Sequence, residues 1–277
     1  MACILPLVLV VSVSFTDETT VLAHGFSFWP EKFSLKAYNI LFIDYEQIIH
    51  SYGISILVTS VGTIISLVIT SLFAYPLSRT DLKYRGFFAF LVFFTLLFNG
   101  GLVPWFLVYV KMLGLSDHIW ALIMPLLVTP FYVIIMRTFF TTTIPTELID
   151  SAKIDGAGEW YTFARIVIPL SLPVLATISL FNTLNYWNDW FLSLLYINDN
   201  TNVSLQYLMY KTLNNIQYIT SNSAVMNGIS QGGGHLDLPT KTLQMSMAVV
   251  GIGPIVFAYP FFQRFFVKGL TLGSVKG

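Results

Sequence analysis

Long apolar stretches alternate with shorter polar segments along the chain, and this pattern predicts helices that cross a membrane. A spanning helix needs about 20 mostly apolar residues. Five of the stretches reach that length, whereas the first is too short. The sequence therefore predicts an all-α membrane protein with six helices, the first of them incomplete. The predicted spans cover residues 1–15, 52–77, 87–110, 119–140, 171–197 and 244–267.

Two interpretations of the first stretch, residues 1–15, are open. A secretory signal peptide would explain its length, but the stretch lacks the basic start and the A-x-A cleavage site of such peptides. The alternative, which these features favour, is a first transmembrane helix whose beginning lies upstream of Met1.

Composition agrees with a lipid environment. Hydrophobic residues make up 55% of the 277 residues and charged residues only 10%, whereas soluble domains average about 25% charged residues. The chain holds 24 Phe, 14 Tyr and 6 Trp, and such aromatic residues collect at membrane interfaces. The net charge of zero gives no indication of a nucleic-acid partner. The single cysteine, Cys3, excludes an internal disulfide and a cysteine-based metal site.

The distribution of Lys and Arg predicts the orientation, because basic residues are enriched in cytoplasmic loops. If the N-terminus is cytoplasmic, nine of the 14 basic residues lie on the cytoplasmic side and five lie outside. Three of the nine are in the short loop 78–86. The C-terminus is then cytoplasmic, and segments 16–51 and 198–243 are extracytoplasmic. Uncharged polar side chains in 198–243 suit contact with another protein or a carbohydrate, and a solvated loop is the other interpretation.

The segment 142–169 falls on the cytoplasmic side and predicts two short helices joined at a glycine. Pro145 suits the first turn of a helix. Gly156 can adopt the left-handed backbone that ends a helix. A second helix is expected over 158–168, broken by Pro169 before the next span.

The side chains of this elbow combine acids with small residues. Acidic groups near the start of a helix interact favourably with its dipole, and small side chains allow another protein to approach closely. The elbow is therefore predicted to fit a groove on a soluble partner. The residues that support this prediction are Glu147, Asp150, Ser151, Ala152, Asp155, Gly156 and Ala157.

The same segment resembles a known family motif. Asp150-Ser151-Ala152, three residues, Gly156, nine residues and Ile166-Val167-Ile168-Pro169 are similar to the EAA loop, E-A-A-x3-G-x9-I-x-L-P, of ABC importer permeases. Asp150 stands for Glu, Ser151 for Ala and Ile168 for Leu, and each change keeps the chemical character. Residues 74–79 (AYPLSR), 100–104 (GGLVP) and 259–269 (YPFFQRFFVKG) look like the LplC/YtcP-type subgroup, whose members are linked to the import of complex oligosaccharides.

This resemblance implies a type I importer transmembrane domain, of the MalG type, over residues 1–277. Residues 142–169 would be the cytoplasmic coupling loop that docks into an ATPase subunit. The implied partners are a second, homologous but non-identical permease, two copies of the ATPase and an extracytoplasmic sugar-binding protein. The implied location is the bacterial plasma membrane. No cofactor is expected in this chain, because ATP and Mg would be bound by the ATPase.

A polar and aromatic cluster lies in the fifth long span. Amides can bind sugar hydroxyls and flat rings can stack on sugars, so a substrate path is one interpretation. Hydrogen bonds to neighbouring helices or an aromatic belt at the interface are the alternative. The cluster contains Asn182, Asn185, Trp187, Asn188, Asp189 and Trp190.

Glycine and proline interrupt two of the predicted spans, at residues 100–104 and 251–254. Such interruptions are tolerated where neighbours satisfy the backbone. Hinges for alternating access and simple close packing of helices both remain open.

The sequence argues against catalysis by this chain. Gly228, Ser230 and Gly232 match G-x-S-x-G, but that motif requires a strand before it and a helix after it, and His235 precedes Asp237. The four histidines show no zinc-site spacing. No G-x4-G-K-[ST] loop for ATP phosphates is present. A membrane-embedded enzyme therefore has no support, and an ion-coupled carrier would need more ionisable groups in its spans.

Overall fold

A computed structural model of the chain describes residues 4–222 and 239–256, together with Pro260 and Phe262. Within these residues the chain is mainly helical. Thr16 and Phe33 form an isolated antiparallel β-bridge. The helices are α1 (Leu5–Ser14), α2 (Glu18–His24), α3 (Lys36–Leu41), α4 (Tyr45–Ser78), α5 (Arg85–Leu97), α6 (Leu102–Leu107), α7 (Trp120–Ile123), α8 (Pro130–Thr143), α9 (Thr146–Ile154), α10 (Glu159–Thr162), α11 (Ile168–Leu170), α12 (Leu172–Asn188), α13 (Phe191–Tyr196), α14 (Leu205–Ser221) and α15 (Thr240–Val256).

Short non-α turns extend several of these helices. The π-helical turns Val108–Met112 and Phe163–Val167 follow α6 and α10, and the 3-10 turns Phe42–Asp44 and Met124–Leu126 precede α4 and follow α7. A further 3-10 turn is Asn200–Asn202.

The described chain divides into two compact units. The first contains residues 4–55, 189–194, 199–222 and 239–256, and the second contains 56–188 and 195–198 together with Pro260 and Phe262. In the first unit, α15 contacts α1, α2, α3 and α14. The buried apolar side chains of this unit include Val13, Val21, Leu41, Leu243 and Met247.

A carboxylate from α2 caps the start of α15. The Oε1 atom of Glu18 accepts hydrogen bonds from the backbone N–H of Lys241 (2.9 Å) and the hydroxyl of Thr240 (3.1 Å). Its Oε2 atom accepts from the backbone N–H and the hydroxyl of Thr242, both at 2.8 Å. The first N–H groups of a helix have no partner within the helix, and a negative charge there also complements the helix dipole. Glu18, only 8% exposed, thus accepts the hydrogen bonds of the first residues of α15, although it lies more than 200 residues earlier in the chain.

Glu18→Gln is expected to lower the free energy of unfolding by about 1–3 kcal/mol, because the amide presents one acceptor oxygen and leaves a buried N–H without a partner. The measurement is thermal unfolding of the purified protein in detergent. Glu31→Gln is the matched control, since the Glu31 side chain is 52% exposed and pairs at the surface with His24. Equal shifts for the two variants would contradict the capping role.

The core of the second unit lies where α4, α5, α8 and α12 pack together with the turn Phe163–Val167. Its buried side chains come from each of these elements, and they pack the end of α4 against the segment around residue 163. Members of this core are Ala74, Tyr75, Val92, Val133, Met136, Phe140, Phe163, Val167 and Ile178.

The helices match the predicted spans only in part. One stretch, Lys36–Ser78, is long and apolar enough to cross a membrane without a break. Three further candidates are pairs of helices bent by 113°, 50° and 79°: Arg85–Leu97 with Leu102–Met112, Trp120–Leu126 with Pro130–Thr143, and Glu159–Leu170 with Leu172–Asn188. By length and composition the described residues therefore hold between one and four spans. The first stretch is the shorter apolar helix α1.

The predicted interruptions differ in their outcome. At residues 98–101 the chain leaves the helix, and Gly101 has a φ of +85°. At the second site α15 continues through Gly251, Gly253 and Pro254 to Val256, so the expected interruption does not end the helix there. The break predicted at Pro169 lies two residues later, because the helix continues to Leu170 and bends at Ser171. Pro169 therefore lies in the last turn of the helical run Glu159–Leu170. The predicted motif 259–269 lies almost wholly outside the described residues.

Candidate functional site

The elbow between α9 and α10 is closed by a specific backbone motif. Helix α9 begins at Thr146, directly after Pro145, and ends at Ile154. Gly156 has a φ of +82°. Its N–H donates to the carbonyl of Lys153 (3.0 Å), and the N–H of Ala157 donates to the carbonyl of Ala152 (2.9 Å). This pair of bonds is the Schellman motif, which ends a helix at a left-handed residue, and it confirms the predicted role of Gly156.

The predicted coupling residues do not all point outward. Glu147, Asp150, Ser151, Asp155 and Gly156 are exposed, and Ala157 is half-buried. The hydroxyl of Ser151 donates to the carbonyl of Glu147 at 2.8 Å. Ala152 is buried together with Ile149, so its small side chain packs inside the protein.

Two apolar side chains of the elbow are also exposed. Ile154 is 86% exposed and Trp160 is 74% exposed. Sequence reasoning did not single them out, although a signal exists for Ile154. Ile149 and Ala152 form the buried stripe of α9, and at about 100° per residue Ile154 lies well off that stripe.

Ionic contacts join the elbow to the end of α4. The guanidinium of Arg79 donates to both carboxylate oxygens of Asp81, from Nε (3.2 Å) and Nη2 (2.9 Å). The Nζ atom of Lys153 lies 2.9 Å from Asp81 Oδ2 and 3.3 Å from Glu159 Oε1. The Tyr75 hydroxyl donates to Glu159 Oε2 at 2.8 Å.

The two cations keep Asp81 ionised. Hydrogen bonds from Arg79 and then from Lys153 hold the pKa of Asp81 well below its usual range. A carboxyl with a lowered folded-state pKa contributes stability above its unfolded pKa, about 3.9, and loses it only as the pH falls through the folded value. We therefore expect these ionic contacts to be unaffected between pH 5 and pH 8.

In the second unit, the predicted substrate-path residues divide into buried and exposed groups. Asn182 is 1% exposed, and its Nδ2 donates to Ser66 Oγ at 3.0 Å. Trp187 is also buried. Asn185 is exposed and donates to the hydroxyl of Tyr132 (2.8 Å), and exposed Asn188 donates to the carbonyl of Leu184 (2.9 Å). The contacts of Asn182 match the alternative interpretation, a hydrogen bond between neighbouring helices.

The other two residues of that set lie in the first unit. Asp189 Oδ1 accepts from the N–H of Leu192 at 2.9 Å, close to the start of α13. Trp190 stacks on Tyr210, with ring centroids 4.2 Å apart and planes 25° apart. Sequence reasoning missed Tyr210, because α14 lies in the segment interpreted as an outside loop. Among the described residues, no group of three His, Cys, Asp or Glu could hold a metal ion.

Comparison with known protein families identifies the family of this chain. The family model described as "Binding-protein-dependent transport system inner membrane component" matches residues 66–272, well over half of the chain. The chain belongs to this family. It is therefore a membrane protein and a permease component of an ABC importer.

Relatives of this inner membrane component extend over almost its whole length. It is 42% identical over 275 residues to the polygalacturonan/rhamnogalacturonan transport system permease protein YtcP of Bacillus subtilis (strain 168), with 99% of this chain and 93% of that protein covered. It is 40% identical to the protein LplC of the same organism, with 99% and 90% covered. It is 30% identical to the arabinooligosaccharides transport system permease protein AraQ of Halalkalibacterium halodurans, with 99% and 91% covered.

A solved structure confirms the fold. This inner membrane component matches a chain in the crystal structure of a bacterial ABC transporter involved in the import of the acidic polysaccharide alginate. The TM-score is 0.79 at 26% sequence identity, with 96% of this chain and 91% of that chain covered. The expected ABC importer permease fold is thus confirmed.

Proposed function

We propose that this permease forms one half of the translocation pathway of an importer for oligosaccharides or polysaccharide fragments. The observation that carries the proposal is the elbow, whose acids, Ile154 and Trp160 are exposed and whose two arms are joined by the motif at Gly156. The elbow lies within the residues that match the family. A rigid elbow with an exposed apolar tip suits insertion into a groove on an ATPase subunit.

The elbow would act as the cytoplasmic coupling loop, residues 142–169. ATP would close a dimer of two ATPase copies, and that motion would reach the membrane helices through residues 147–160. Hydrolysis would then reset the pathway. ATP and Mg would be bound by the ATPase, since this sequence has no phosphate-binding loop.

A second, non-identical permease would supply the other half of the pathway. The chain would cross the bacterial plasma membrane several times, with its C-terminus in the cytoplasm, and α5 carries phenylalanines suited to lipid, such as Phe87, Phe90 and Phe93. An extracytoplasmic sugar-binding protein would deliver substrate to segments 16–51 and 198–243.

The substrate class follows from relatives and from side-chain chemistry. The names of three relatives or solved structures refer to polygalacturonan, arabinooligosaccharides and alginate, all of which are built from glycosidically linked sugar units. Sugar rings present hydroxyls for amides and flat faces for aromatic rings. Asn185 and Asn188 offer exposed amides, and the partly exposed stack of Trp190 on Tyr210 offers an aromatic face. Asn182, buried on the same helix as the two exposed amides, would position that helix rather than touch sugar.

The test is uptake by proteoliposomes that contain this permease, its second permease and the ATPase, supplied with the binding protein. The probes are labelled oligosaccharides from partial digestion of polygalacturonan, alginate and arabinan. We expect uptake of at least one probe that requires internal ATP and the binding protein. Uptake without ATP, or ATP-driven uptake of non-carbohydrate solutes alone, would contradict the proposal.

A further inference from the structure

Five polar side chains form a continuous chain of contacts between α4 and both arms of the elbow. The order is Arg79, Asp81, Lys153, Glu159 and Tyr75, so the contacts start and end near the same end of α4. Lys153 precedes Gly156 and Glu159 follows it, which means that each arm contributes one group. We name these five residues the clamp.

The clamp is better ordered than a single surface ion pair. Arg79 makes two parallel hydrogen bonds to Asp81, the geometry that fixes a guanidinium in one orientation. The Arg79 side chain is 12% exposed, and the ring of buried Tyr75 packs against Phe163 with centroids 5.1 Å apart. Lys153 contacts two carboxylates at once. Any movement of the elbow away from α4 must break several of these contacts together.

The same helix, α4, contacts α12 through residues that precede the clamp in sequence. Ser66 lies nine residues before Tyr75, about 13 Å along a helix, and its Oγ accepts from Asn182. The hydroxyls of Thr63 and Thr183 lie 3.4 Å apart at the same contact between helices. Asn185, one of the exposed amides, lies two residues after Thr183 in α12. A displacement of the clamp end of α4 would therefore act on the helix that carries the proposed sugar-binding amides.

Space for such a displacement lies beside the clamp. A partly open cavity of about 480 Å3 is lined by residues of the clamp, by Leu72, Pro76 and Leu82, and by Trp160. Pro76 removes one backbone hydrogen bond from α4 next to Tyr75, which makes bending easier there.

We propose that the clamp transmits the movement of the elbow to α4, so that ATP hydrolysis and opening of the pathway stay linked. This proposal rests on the proposed function, because it needs the elbow to be moved by an ATPase. The five residues would be positioning residues that act through α4 and contact neither sugar nor nucleotide.

The test compares sugar uptake and ATP hydrolysis in the assembled transporter in proteoliposomes, with the oligosaccharide probe that the wild type takes up. The variants are Asp81→Asn and Lys153→Met. The side chains of Lys153 and Asp81 are 40% and 54% exposed, and exposed ion pairs add little to stability. Asp81→Asn still offers an acceptor oxygen to the largely buried Arg79, so both variants are expected to assemble with the ATPase. We expect the rate of ATP hydrolysis to stay within about twofold of wild type. The amount of sugar transported per ATP should fall by about fivefold or more, because coupling between two sites typically changes an equilibrium by at least that factor.

Two matched variants separate transmission from loss of charge or structure. Lys153→Arg keeps both ion pairs and should keep the wild-type ratio. Lys83→Met removes a charge from the same loop, where the Lys83 ammonium makes no ion pair with a described residue, and should also leave the ratio unchanged. An unchanged ratio in Asp81→Asn and Lys153→Met, or loss of ATPase assembly in both, would overturn the proposal. Failure of the proposed function would instead appear in the wild type, as uptake that does not require ATP.

Discussion

Purified protein with Gly62→Ala is expected to unfold at a clearly lower temperature than the wild type, with a loss of about 1–3 kcal/mol from overpacking alone. A Cβ atom on Gly62 would lie 2.5 Å from Cζ of the Tyr186 ring and 2.7 Å from its Cε1. Small residues let membrane helices approach closely, and here Gly62 of α4 admits the whole ring from α12. The measurement is thermal unfolding in detergent.

The ring of Tyr186 has little freedom to move aside. It is 3% exposed, and its hydroxyl donates to the carbonyl of Ile123 at 2.9 Å. A shift that relieves the contact would break this buried hydrogen bond, at a further cost of about 1–3 kcal/mol. Tyr186→Leu combined with Gly62→Ala should therefore regain part of the lost stability.

Gly53→Ala is the matched control in the same helix. An added Cβ there meets nothing within 4 Å, and alanine is favoured over glycine in a helix by about 1 kcal/mol. We expect no loss of stability. An equal loss at both positions would show that α4 is sensitive to substitution in general and would contradict packing against Tyr186 as the cause.

Gly156→Val is expected to abolish most of the sugar-stimulated ATP hydrolysis of the assembled transporter. A residue with a Cβ at a φ of +82° costs about 1–2 kcal/mol, and a β-branched residue is particularly poor there. The backbone would relax out of the left-handed region and break the bonds to Lys153 and Ala152. The two arms of the elbow would then lose their relative orientation. The measurement is ATPase activity with and without loaded binding protein.

Two further variants test this explanation. Gly156→Asn should keep most of the activity, because Asn tolerates the left-handed region better than other residues with a side chain. Gly158→Ser should behave as wild type, since Gly158 has a φ of −74° and precedes α10, where serine is a favoured helix cap. Full activity in Gly156→Val, or equal losses in Gly156→Asn, would contradict the role of backbone conformation.

The elbow could be predicted from sequence because its determinants are local. Pro145 and Gly156 mark the start and the end of α9 through their own backbone preferences. The positions of breaks in the spans were harder to predict. Gly101 permits a bend of the chain, whereas Gly253 and Pro254 are accommodated inside α15, and composition alone does not distinguish these cases.

The contacts that fix the tertiary structure had no signal in the sequence. Glu18 caps a helix that begins 222 residues later, and Lys153 pairs with Asp81 across 72 residues. Each of these residues is an ordinary surface type when read alone. The burial of Ala152 and Asn182 likewise depends on which face of each helix meets its neighbours, and that is decided by the packed structure.

The central claim is that the elbow is the surface that contacts the ATPase, and cysteine cross-linking tests it most directly. Cys3 is the single cysteine, so Cys3→Ser gives a cysteine-free background. Ile154→Cys places a thiol at an 86% exposed position on the elbow, and Ile43→Cys places one at a 78% exposed position in the segment predicted to be outside. With a short thiol-reactive cross-linker on the assembled transporter, we predict an adduct with the ATPase from residue 154 and none from residue 43. An intact assembly in which residue 154 gives no adduct, or residue 43 gives an equal one, would contradict the claim.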